Sequence, residues 1–234
     1  MNDALTTLRK KLHALADPVR AVGATRFFKT GPGEYGEGDK FLGLTVPLIR
    51  SLVREADALS EDAVLSLLHS EWHDERLLAL LMMVRRFERD AGERERIVNL
   101  YLANTRWVNN WDLVDTSSPH ILGAWLLGRD RAILQKLAAS PSLWEQRIAV
   151  LATFAFIRAE EFGPTLALCE PLLTHQHDLM HKACGWMLRE VGKRDVSALR
   201  TFLDAHAARM PRTMLRYSIE KFSPVERQRY LAQR

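Results

Sequence analysis

Trp111 and Asp115 stand four residues apart in "WVNNWDLVDTSSPHILG" (107–123). At helical spacing, positions i and i+4 share a face, so indole and carboxylate project side by side. Asp112 points roughly 100° away around the helix and is expected to act as an N-terminal cap or dipole partner. Further along, Arg147 lies in "WEQRIAVL" and Trp186 in "KACGWMLREVGK". Indole faces attract cations through the ring quadrupole. A carboxylate stabilises developing positive charge and can position a water. The planar fork of arginine matches phosphate. Together these side chains suit a cationic centre within a phosphate-bearing polymer, such as an alkylated purine nucleotide losing its base. A Trp-x-x-x-Asp pair taken alone is more often structural. Its weight here comes from Arg147 and Trp186, which hold matching places in later segments.

The elements that must position these residues read as helices. Segments such as "ALTTLRKKLHALAD", "SEDAVLSLLHS", "DERLLALLMMVRRFER", "RERIVNLYLAN" and "DRAILQKLAAS" carry apolar residues at helical spacing. In the first, the pattern 4, 8, 12, 15 marks the buried face. Strand-type alternation is nearly absent, which predicts an all-α chain. Ser60, followed by Glu61 and Asp62, is a helix N-cap with acidic residues in the first turn. "HDERLLALLMMV", "WEQRIAVLATFA" and "MHKACGWMLREV" each place a basic residue, Arg76, Arg147 or Lys182, just inside an apolar helix. Helix starts near 74, 110, 145 and 180 repeat at about 35 residues, within the range of helical repeats. The expected architecture is a HEAT-like helical-repeat solenoid, a curved array of antiparallel helix pairs in one domain over residues 1–234. Arg76, Trp111, Asp115, Arg147, Lys182 and Trp186 are then expected along one concave face. Such arrays most often bind protein, and fold alone does not settle function.

Composition excludes several classes. At 47% hydrophobic and 26% charged, the chain can build an ordinary core. A net charge of +4 does not by itself imply nucleic acid; that depends on charge gathering on one face. Cys169 and Cys184 form no CxxC and, with the histidines, no zinc spacing, so free thiols and no metal are expected. "HQHDLMH" (175–181) lacks the glutamate and third ligand of a metal motif and reads as a solvated helix start. No secretory signal and no membrane span are expected, so the expected setting is cytoplasmic. No serine–histidine–aspartate set can be assembled by spacing.

One stretch breaks the helical pattern: "FFKTGPGEYGEGDKFLGL" (27–44). It lacks the order of a phosphate-cradling loop. The plainer reading is a long connection between the first helices. The functional reading is a mobile lip whose Lys29, Lys40 and glycine amides reach phosphates.

These residues resemble the AlkD-type DNA alkylation repair enzymes, DNA glycosylases built from HEAT-like repeats. The resemblance rests on "WDLVD" (111–115), "WEQRIAVL" (144–151), "KACGWMLREVGK" (182–193) and "RFFKTGPGEYGEGDKFLGL" (26–44), and runs from about residue 5 to 225. It implies excision of cationic alkylpurines such as N3-methyladenine and N7-methylguanine from duplex DNA, leaving an abasic site, with no cofactor. It implies that Asp115 is the catalytic carboxylate, with Trp111 and Trp186 packed against the damaged nucleotide's deoxyribose. It implies that Arg147 holds the backbone phosphate near the lesion, without base flipping. Lys182, Arg189 and Lys29 are candidate phosphate contacts. Phe27 stands where the family often carries a tyrosine, so a hydroxyl contact is lost there. A monomer acting on duplex DNA is expected. The rival reading is a non-catalytic repeat scaffold binding DNA or a protein.

Overall fold

The computed structural model describes residues 3–233. Among these residues there are fourteen α-helices and no strand, with one isolated bridge between Lys40 and Trp72. The chain is all-α and of the HEAT-like repeat class. It forms two compact units, Met1–Ser117 and Ser118–Arg234.

The first unit holds α1 (Asp3–Ala14), α2 (Pro18–Phe27), α3 (Val46–Leu52), α4 (Glu61–Leu68), α5 (His73–Arg89), α6 (Arg94–Ala103) and α7 (Trp111–Ser117). The second opens on a π-helical turn, Pro119–Gly123, and holds α8 (Ala132–Ala138), α9 (Leu143–Arg158), α10 (Gly163–Cys169) and α11 (Asp178–Gly192). It continues with α12 (Val196–His206), α13 (Arg212–Ser218) and α14 (Pro224–Leu231). The helices α5, α7, α9, α11 and α13 begin at 73, 111, 143, 178 and 212, so the expected period of about 35 runs on into a fifth repeat. Within units, α4 packs on α5, α8 on α9 and α10 on α11. The second helices of successive pairs also pack together, α5 with α7 and α9 with α11 and then α13.

Local chemistry explains the helix boundaries. Ser60 caps α4 as expected, its hydroxyl accepting from the Ala63 N–H at 3.3 Å. Asp17 caps α2 ahead of Pro18, and Thr45, Ser142, Asp195 and Ser223 cap α3, α9, α12 and α14. Each such cap contributes about 1 kcal/mol. On α1 the buried face is Leu5, Leu8 and Leu12, while Ala4 and Leu15 are exposed. The stripe therefore keeps 8 and 12 of the expected 4, 8, 12, 15, with 5 in place of 4 and 15 left outside. The structure brings Leu5 inward because i, i+3 and i+7 also share a helix face.

The first turn of α5 is unusual. His73, Asp74, Glu75 and Arg76 follow one another and are all buried, at 3%, 3%, 1% and 2% exposure. Burying charge is costly unless it is paired and hydrogen-bonded. Each of the four has partners from another segment. Asp74 accepts from the Leu42 and Leu44 N–H groups at 2.7 and 2.9 Å. Glu75 meets Arg9 at 3.0 Å and His13 at 3.4 Å, both on α1. This turn is therefore the hub that ties α1 and the glycine-rich connection to α5.

Candidate active site

The connection between α2 and α3 contains the glycine-rich stretch, and its ends are pinned to that hub. Gly43 has φ +80°, and a Cβ there would lie 2.3 Å from the Asp17 carbonyl oxygen, so only glycine fits. A Cβ on Gly36 would lie 2.4 Å from the Phe28 carbonyl oxygen. The glycine amides are also committed: Gly31 donates to Glu34 and Gly33 to Glu37, at 2.9 and 2.8 Å. Lys40 is paired with Glu71 at 2.7 Å. A phosphate reaching Lys40 or the Gly31 and Gly33 amides would therefore have to displace these partners. Lys29 is exposed and carries a left-handed backbone, φ 56°.

At the start of the same loop, Phe28 stacks on Trp111 at 5.3 Å and on Phe41 at 5.0 Å. Phe41 in turn stacks on His73 at 4.7 Å. Phe27, 64% exposed, meets the Trp111 ring edge-on at 5.7 Å. Such ring pairs contribute about 0.5–1.5 kcal/mol each beyond their buried area. The Trp111 ring is thus supported on one side by Phe28 and edged by an exposed Phe27, and is itself half-buried.

The Asp112 carboxylate accepts from His73 Nε2 at 2.8 Å. The other ring nitrogen of His73 meets Asp39 at 3.2 Å, and Arg76 closes on Asp39 at 2.7 Å. Asn110 adds a further donor to Asp39 at 3.3 Å. Burial alone would push the His73 pKa down. The charge of Asp112, with the hydrogen bonds His73 donates to Asp112 and Asp39, overcomes that and raises it to about 9 despite Arg76. Asp39 is held below the usual carboxylate range: its burial, which would raise it, is outweighed by the hydrogen bond from His73 and the charge of Arg76. Asp115 is half-buried one turn after Trp111 and on its face.

In the second unit, Arg147 is 5% exposed, and its guanidinium donates to the Leu179 carbonyl at 2.7 Å. It links α9 to the first turn of α11. Lys182 pairs with Asp178 at 2.7 Å within α11. Trp186 is half-buried, its ring 5.9 Å from that of Phe154. Arg189 is ion-paired with Glu220. "HQHDLMH" builds the start of α11: His177 caps it by accepting from the Leu179 N–H at 3.1 Å, and His175 accepts from the His177 N–H at 3.0 Å.

The model of the DNA alkylation repair enzyme family matches residues 8–222. The chain belongs to that family. A predicted DNA alkylation repair enzyme from Enterococcus faecalis has a similar structure, with a TM-score of 0.67 at 14% identity. The match covers 89% of this chain and 97% of that one, and at this identity it speaks to fold alone. No curated protein matches the chain. Family membership places this protein in the repair of alkylated DNA. No helix among the described residues is long and apolar enough to cross a membrane.

For this member of the DNA alkylation repair family, the structure sets Phe27 against Trp111 in the first unit, with Asp115 one helical turn after Trp111. In the second unit Arg147 lies on α9, and Lys182, Trp186 and Arg189 lie on α11. Arg76 is corrected: it was expected on an open face with the other basic residues, and it is buried against Asp39 and the Ser70 carbonyl. Its place in the repeat matched those of Arg147 and Lys182; the loop carboxylate draws it inward, and Arg147, also expected on the open face, is likewise buried, against the Leu179 carbonyl. Arg189 and Lys182 carry acidic partners that a phosphate would have to displace. Sequence reasoning missed His73 and Asp39. The run of four charged or titratable residues before an apolar helix was a usable signal for His73; Asp39 had none.

Proposed function

We propose that this protein is a DNA glycosylase that hydrolyses the N-glycosidic bond of cationic alkylpurines, N3-methyladenine and N7-methylguanine, in duplex DNA. The observation that carries the reading is that Asp115 shares the helix face of Trp111, whose ring is supported by Phe28. The substrate's own positive charge makes the purine a good leaving group. Catalysis then calls for charge stabilisation at the sugar more than for a strong acid. Asp115 stabilises the developing oxocarbenium ion and positions the attacking water; the N-glycosidic bond breaks with its electron pair going to the purine, which departs neutral, and the water bonds to the anomeric carbon and loses its proton to solvent. Trp111 presents an indole to the same cation. Within the second unit, Trp186, Arg147, Lys182 and Arg189 are proposed as contacts to the DNA. Phe27 and Lys29 contribute from the first.

The test is base release from duplex DNA carrying N7-methylguanine, parent against Asp115→Asn. The variant should still bind DNA and lose on the order of 10²–10³ in rate, the usual weight of one charged stabiliser. Equal rates would remove Asp115 from the chemistry. Efficient release of uracil, a neutral base, would contradict the reliance on substrate charge.

A further inference from the structure

We propose that His73 is a positioning residue for base excision, fixing α7 and the Trp111 ring as one unit; this rests on the reading of Asp115 given above. Three independent features converge on this one side chain. Its Nε2 lies 2.8 Å from an Asp112 oxygen on α7, and its Nδ1 lies 3.2 Å from an Asp39 oxygen on the glycine-rich connection. Its ring lies 4.9 Å from Phe28 and 4.7 Å from Phe41, and Phe28 is the ring on which Trp111 stacks. Its side chain is 3% exposed, so water does not compete for either nitrogen.

A neutral imidazole donates from one nitrogen only; facing a carboxylate on each side, both nitrogens donate only in the imidazolium. The cluster then holds two carboxylates, Asp39 and Asp112, and two cations, His73 and Arg76, and is balanced. Asp74 and Glu75, the neighbouring carboxylates on α5, are committed elsewhere, to backbone amides and to Arg9 and His13. The bridge reaches α7 at Asp112, one residue after Trp111 and three before Asp115. A helix of seven residues has little stiffness of its own. Its orientation is set by what grips its first turn, and His73 grips it by a charged bond and supports the adjacent ring stack. Because a misplacement of about 1 Å at a reacting group can cost on the order of 10²-fold in rate, this grip matters for excision as well as for folding.

The test compares parent, His73→Gln, Asp112→Asn and the double variant in single-turnover release of N7-methylguanine, with His206→Gln as control. A glutamine amide can donate to one of the two carboxylates but not to both. Each single variant should lose tenfold or more, on the order of what misplacement costs, with little change in affinity for undamaged duplex. The double variant should lose no more than the worse single, since both break one bridge. In the parent the rate should fall as pH rises through about 9, and Asp112→Asn should move that fall to lower pH. Parental rates in both single variants, or additive losses in the double, overturn the proposal. A parent that releases no base refutes the glycosylase reading instead. In that case the Trp111 indole N–H resonance decides positioning: a shift in both variants but not in the control supports it, and no shift refutes it.

Discussion

The His73 cluster makes stability depend on pH in a window where few side chains titrate. The histidine is held at about 9 in the folded protein against an ordinary 6.5. A raised pKa means that the folded state holds its proton more tightly. Its contribution is therefore complete below pH 6.5 and is lost as pH rises through about 9. At about 1.4 kcal/mol per pH unit, the whole window corresponds to about 3 kcal/mol. That is a large share of the roughly 5–15 kcal/mol by which folded proteins are stable. Urea unfolding at pH of about 6, 7.5 and 9.5 should show the parent's advantage over His73→Gln shrinking steadily with pH. The comparison with the variant cancels groups common to both. Those include Cys169, whose thiol is pushed up by its hydrogen bond with Cys184 and by burial. His175 and His177, held down by burial, act with the opposite sign and only as pH falls below 6.5. A difference between parent and variant that stays constant from pH 6 to 9.5 would refute the imidazolium bridge.

Two further substitutions probe the scaffold. Gly43→Ala forces a side chain into a left-handed conformation against the Asp17 carbonyl; it should cost about 1–3 kcal/mol from the backbone alone, read as a lowered Tm, and a parental Tm would count against the tight loop closure. Arg147→Ala strips the donor from the Leu179 carbonyl and should cost about 1–3 kcal/mol in stability. If Arg147 also reaches a phosphate, the slope of log affinity against log salt should fall by about 1; a stability loss with an unchanged slope would assign it to structure alone.

What the sequence determined by itself was whatever is local along the chain. The repeat of about 35 was readable because each second helix restarts the same apolar pattern, and the starts at 73, 111, 143 and 178 follow it. The Ser60 cap was readable because a cap acts within three residues. That Trp111 and Asp115 share a face follows from helical spacing alone. The tertiary structure decided which charges face solvent and which hold the fold. Arg76 and Arg147 look alike in sequence, basic residues inside apolar helices, yet each turns inward to an acceptor from another segment, Asp39 or the Leu179 carbonyl. Asp112 is drawn into the fold because His73, thirty-nine residues before it, bonds it. Such pairings have no period along the chain. They arise because burial makes an unpaired charge too costly to leave alone, and only the folded chain shows which partner is near enough to meet it.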